Sequence, residues 1–159
     1  MANNYIDLIG IRLVKEGRIK SDTHIETPLL AVEVLANELK YMDREVAMTM
    51  HLNSQHQLIG AHIISIGTSN QSTLDIKSVM KSAILSNSSR IMLLHNHPSG
   101  DPTPSKADIE ITERVGMASA IMGFDLLDSI VIGEDGFYSI LGQSYFPYTH
   151  PTHETELTL

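Results

Sequence analysis

The chain has 159 residues and no cysteine, so disulfides and thiolate metal sites are excluded, and its length fits one domain with a sizeable core. Hydrophobic residues make up 42% and the formal charge is −8, which suits a soluble globular fold and argues against a broad phosphate-binding surface of clustered Lys and Arg. No apolar run approaches the roughly 20 residues of a membrane helix, no signal peptide is evident at the N-terminus, and the expected location is the cytoplasm.

In chain order, residues 5–14 read as a strand and 16–21 as a polar turn. Thr27-Pro28 offers a hydroxyl cap followed by proline at the first helical position. The apolar stripe Val32, Leu35, Ala36, Leu39 and Met42 continues that helix. Residues 45–52 switch to period two: Val46, Met48, Met50 and Leu52 share one face, and Glu45, Ala47, Thr49 and His51 the other. A turn at 53–56 leads into a second strand, 58–66. Residues 75–87 predict a helix with Ile76, Val79, Met80, Ala83 and Ile84 inward. The continuous apolar run 91–94 suits a central strand covered on both faces.

The most informative stretch follows: His95-Asn96-His97-Pro98-Ser99-Gly100-Asp101-Pro102-Thr103-Pro104-Ser105, then Asp108. His-x-His puts two imidazoles on one side of an extended segment. Ser105-x-x-Asp108 opens a helix over 105–122 that Gly123 stops. Two strands, 126–132 and 137–141, flank a turn at 133–136. From Gln143 the pattern dissolves, and 149–159 reads as a mobile polar tail. The order of elements predicts a layered α/β (α+β) domain, a mixed β-sheet flanked by helices. The organisation expected is an N-terminal strand and connector over 1–24, a domain over 25–146 and a flexible tail over 147–159.

Asp108 admits two readings. It could be only the acid of a capping box begun by Ser105. However, Asp108, Ile111, Val115, Ala118 and Met122 recur at helical spacing, so the carboxylate heads a buried stripe, and a buried carboxylate needs a cation. With His95 and His97 ending the neighbouring strand, the combination favours a divalent ion such as zinc, with a fourth position left for water. Glu45 is the candidate base, a carboxylate outside the coordination shell; the alternative is an exposed acid paired with Arg44. His51 and His62 read as structural or surface residues, and His56, His150 and His153 carry no role. Met48, Met50, Met80, Met92, Met117 and Met122 are expected to pack the core. Asn96 and Ser99 shape the loop, and Asp101 braces the loop or a ligand.

Glu45, the His95-Asn96-His97-Pro98-Ser99-Gly100-Asp101 run, Pro104-Ser105 and Asp108 together resemble the JAMM (MPN+) zinc-metalloprotease signature in the variant of the bacterial RadC family. Gly67-Thr68, Leu126-Leu127-Asp128 and Tyr138-Ser139 extend the resemblance from about residue 25 to 145. It implies an MPN/JAB fold related to the cytidine-deaminase-like architecture. It further implies zinc held by His95, His97 and Asp108, Glu45 as the base that activates water, and Ser105 as a donor to the oxyanion. Three features depart from the family: no helix-hairpin-helix region fits ahead of Ile25, Ser129 stands where Leu-Asp-His is usual, and Ser78 replaces a glutamate. The function expected is a zinc-dependent peptidase or isopeptidase acting on a protein or peptide. The alternative is a DNA-repair-associated accessory protein whose zinc site is structural or vestigial. Nucleic acid is not the favoured partner, a membrane is not expected, and a homodimer is compatible with the sequence but specified by no heptad.

Overall fold

A computed structural model describes residues 14, 17, 18, 28–67 and 74–148. The strand expected over 5–14 and the cap Thr27 therefore lie outside the described residues, apart from exposed Val14, and so does the segment 149–159.

Helix α1 (Pro28–Leu39) buries Val32, Leu35, Ala36 and Leu39. Met42 falls beyond its end and is exposed, because the chain has already turned toward β1 (Val46–Leu52). A turn in which Asn53 Oδ1 accepts the Gln55 and Gln57 amides, at 2.9 and 3.0 Å, leads to β2 (Leu58–Ile66). Helix α2 (Ile76–Leu85) is capped by Asp75, whose carboxylate accepts the Lys77 and Ser78 amides. The remaining elements are β3 (Arg90–Asn96), α3 (Lys106–Met122), β4 (Asp125–Ile132), β5 (Gly136–Ser139) and β6 (Ser144–Pro147).

Among the described residues, six strands form one mixed sheet in the order β2-β1-β3-β4-β5-β6. Of these pairs, β3 and β4 alone are parallel. A parallel neighbour needs a crossover of a dozen or more residues, and the seventeen-residue α3 supplies it. Gly123, at φ 84°, ends α3 in the left-handed region that glycine enters without strain.

Period two sorts the strands into two cores. Val46, Met48, Met50, Leu52, Met92, Leu94, Ile130 and Ile132 pack against α1. Ile91 and Leu93 face the other way, toward Val79, Met80 and Ala83 of α2 and Val115 of α3. The result is a layered α+β fold with helices on both faces of the sheet. Strand β1 is buried along its whole length because β2 and β3 flank it and helices cover both its faces.

Several inward assignments fail. Ile84, Met117 and Met122 are exposed, while Ser82, Thr112 and Ser119 take the inner positions. At these close approaches of helix to sheet the small polar side chains sit inside, and Ser82 and Thr112 return their hydroxyls to the carbonyls of Val79 and Asp108. The pattern also continues past Gln143: β6 pairs with β5, and Tyr148 packs against the α1-side core while donating to the Gly133 carbonyl at 3.1 Å.

Candidate metal centre

Strand β3 delivers its histidines at its carboxyl end, beside the amino end of α3. His95 is the second-last residue of the strand and His97 follows it, so both rings lie on the α3 side with Leu93. Their Nε2 atoms stand 3.2 Å apart. Asp108, one turn into α3, places Oδ1 3.2 Å from His95 Nε2 and Oδ2 3.5 Å from His97 Nε2.

Asp108 is the acid of a capping box, and its carboxylate also faces the two imidazoles. The Ser105 amide donates to Asp108 Oδ2 at 2.7 Å, and the Asp108 amide donates to Ser105 Oγ at 3.2 Å, a complete capping box. The same carboxylate faces the imidazoles. Burial opposes its ionisation, but hydrogen bonds from His95, His97 and Ser105 outweigh burial and hold its carboxyl far below the usual range. The hydrogen bond to Asp108 is the main cause of a raised His97 pKa, against burial, with the Asp101 carbonyl and the charges of Asp108 and Glu45 adding to the rise.

The tautomer of His97 is set by its far side, where Nδ1–H donates to the Asp101 carbonyl at 2.9 Å. A neutral His97 therefore turns the Nε2 lone pair inward. Asp101 braces the ring through its main chain, while its carboxylate accepts the Thr103 amide at 2.9 Å. The loop carrying these groups is pressed onto the β4–β5 turn. The His97 amide donates to the Ile132 carbonyl and the Glu134 amide to the Gly100 carbonyl. A Cβ on Gly133 would lie 2.5 Å from the Gly100 oxygen and 2.6 Å from Pro102 Cδ, so only glycine permits this approach.

Two imidazole Nε2 atoms and a carboxylate so close together suit a cation. Three donors of a tetrahedral zinc site, with bonds of about 2.0–2.1 Å, stand about 3.3–3.4 Å from one another. His95 Nε2 stands 3.2 Å from both His97 Nε2 and Asp108 Oδ1, two edges of such a triangle, while the 3.5 Å from His97 Nε2 runs to the other carboxylate oxygen; one potential ligand atom from each residue lies within 4.8 Å of the others. All-nitrogen and oxygen donors of this kind suit a borderline divalent ion. Among the described residues no other group of three His, Asp or Glu side chains converges in this way.

Glu45 is half-buried at the start of β1. The register of β1 with β3 ends at Ala47↔His95, and Glu45, two residues before Ala47, is near enough to His97 for its charge to help raise the His97 pKa. Arg44 does not pair with it; its guanidinium takes the Asp43 carboxylate at 2.8 and 3.1 Å. Ser78 gives its hydroxyl to the Asp75 cap at 2.7 Å.

The family model for the RadC-like JAB domain matches residues 25–145. The chain belongs to this family. A UPF0758 protein of Moorella thermoacetica is 40% identical over 120 residues, covering 76% of this chain and 52% of the relative. A UPF0758 protein of Alkaliphilus metalliredigens is 38% identical over 136 residues, covering 86% and 58%. A third, of Desulforudis audaxviator, is 37% identical over 122 residues, covering 77% and 53%. The chain thus spans little more than half the length of these relatives.

Within this JAB domain, sequence pattern was blind to the supports of the site. The Asp101 carbonyl, the space left at Gly133 and the cross-strand partners of Asn96 all depend on register and loop closure, which no local spacing encodes. The one available signal was the pair of prolines around Asp101, which predicts a rigid loop but not what it touches.

Proposed function

We propose that this site is the catalytic centre of a zinc-dependent metallohydrolase that cleaves a peptide or isopeptide bond of a protein or peptide substrate. The convergence of His95, His97 and Asp108, with one potential ligand atom from each within 4.8 Å of the others, carries this reading. His95 and His97 would hold the ion through Nε2, and Asp108 through its carboxylate. The bound ion would supply Lewis acidity, drawing charge from a water molecule and from the substrate carbonyl.

Glu45 would take the proton of the attacking water on its carboxylate as the new carbon–oxygen bond forms. It would return that proton to the leaving nitrogen as the carbon–nitrogen bond breaks, so the base ends the cycle ionised. Ser105 would donate a hydrogen bond from its hydroxyl to the carbonyl oxygen as that oxygen becomes negative, keeping its own proton. Its Oγ already accepts from the Asp108 amide, which leaves the proton for an outside acceptor. The start of α3 adds the favourable end of a helix dipole for that charge.

The test is metal analysis joined to turnover. Purified protein should hold about one zinc per chain, and Glu45→Gln should keep the zinc while losing hydrolysis of a peptide library. A protein that stays zinc-free when zinc is offered refutes the proposal. Full turnover by Glu45→Gln removes the base.

A further inference from the structure

Asn96 stands between the two candidate ligands in sequence but points to the opposite face. Alternation sends it to the α1 side of β3, where it is 0% exposed among apolar neighbours. A carboxamide so placed needs partners for both ends, and it finds them across the β1–β3 seam. The Val46 amide donates to Asn96 Oδ1 at 2.7 Å, and Asn96 Nδ2 donates to the Arg44 carbonyl at 3.1 Å. These two main-chain groups flank Glu45. The carbonyl of Glu45 itself accepts the Gly67 amide at 2.8 Å. The paired register of β1 with β3 stops at Ala47↔His95, so beyond that point a side chain ties Glu45 to the histidine strand where the ladder no longer does.

We infer that Asn96 is a positioning residue for Glu45, a cross-strand clamp that fixes the carboxylate relative to His95 and His97. The inference rests on the proposed reading of the site. A leucine of similar volume would fill the same apolar space, so packing alone does not call for an amide here. An aspartate would keep the acceptor for Val46 but face the Arg44 carbonyl with a second acceptor, breaking half of the clamp.

The effect of the clamp can be read without a substrate by loading the protein with cobalt(II) alone. Wild type, Asn96→Ala, Glu45→Gln and the double variant would be compared by chelator competition, by the pH midpoint of the cobalt visible spectrum and by hydrogen exchange at the Val46 amide. A nearby carboxylate disfavours further negative charge at the site, so Glu45→Gln should lower the midpoint by on the order of one pH unit. Asn96→Ala should leave cobalt affinity within roughly threefold while lowering the midpoint by roughly half as much. Val46 should exchange at least about tenfold faster. In the Glu45→Gln background, Asn96→Ala should move the midpoint no further, because its effect passes through the missing carboxylate.

A midpoint unmoved by Asn96→Ala, or moved equally in both backgrounds, overturns the inference and leaves the metal reading intact. Should Asn96→Ala fail to fold, Asn96→Leu, which fills the same apolar space without either hydrogen bond, is held to the same outcomes. A wild-type protein that takes up no cobalt overturns the reading of the site, and the role of Asn96 toward a base falls with it.

Discussion

His51 offers a quantitative test of the fold that does not involve the metal. It is 4% exposed, on the α2 side of β1, with Nε2 3.0 Å from Thr49 Oγ1 and 3.1 Å from Ser82 Oγ. Burial, with a smaller contribution from the charge of His62, pushes its pKa from 6.5 down to about 4. The folded protein therefore keeps this imidazole neutral where the unfolded chain has already bound a proton. Stability from this group is complete above pH 6.5 and is lost as the pH falls from there toward 4. At 1.36 kcal/mol per unit the loss approaches about 3 kcal/mol, a large part of the stability of a small domain. Urea unfolding of wild type and His51→Leu, each in excess chelator, should be followed from about pH 7.5 to pH 4.5. Taking the difference between the two proteins cancels the titrating groups that do not interact with His51, leaving His51 and its smaller coupling to His62. Wild type should lose about 2.5 kcal/mol more than the variant over this range. A difference that changes by less than about 0.5 kcal/mol would refute the argument that burial suppresses this charge.

Three further outcomes follow from the contacts. Gly133→Ala should drive a methyl group into the Gly100 carbonyl and Pro102, costing about 1–3 kcal/mol by urea unfolding and weakening zinc in chelator competition. Ser139→Ala should destabilise by about 1–3 kcal/mol, because Ser139 Oγ donates to Asp128 Oδ2 at 2.5 Å and accepts the Gly142 amide at 2.9 Å; zinc stoichiometry, measured by metal analysis, should not change. Asp108→Asn should leave an oxygen for the Ser105 amide, so urea unfolding should show a loss near or below about 1 kcal/mol. The same variant should lose more than the 10–100-fold in zinc affinity that removal of an outer partner costs.

The candidate site was legible because each of its members obeys a local rule. His-x-His follows the period of a strand, Ser105 and Asp108 follow the grammar of a helix start, and Glu45 follows the phase of β1. What local rules omit is which face is covered and by how much. Strand β1 alternates in sequence, yet Ala47, Thr49 and His51 are as buried as Met48 and Met50, because a second helical layer lies over them. Helical periodicity assigned Ile84, Met117 and Met122 to the interior, but only a narrow stripe of α2 and α3 meets the sheet. Small hydroxyl residues occupy it. Strand β6 has four exposed residues and ends in proline, so nothing in its side chains announces it; its pairing with β5 supplies the order.

Asp108 explains why a capping pattern and a metal pattern coincide in one residue. A side chain free to rotate at a helix start would lose conformational freedom on binding an ion, and its charge would drift between solvent and imidazole. Here the Ser105 amide holds Oδ2 through a main-chain donor, so the carboxylate is oriented before any ligand arrives. His97 is prepared in the same way by the Asp101 carbonyl, and that carbonyl lies on the loop that Gly133 allows to close. Two of the three candidate donors, Asp108 and His97, are thus aimed by backbone groups, which move less than side chains. The capping box, read alone as a local helix-start signal, also orients the carboxylate of the candidate site.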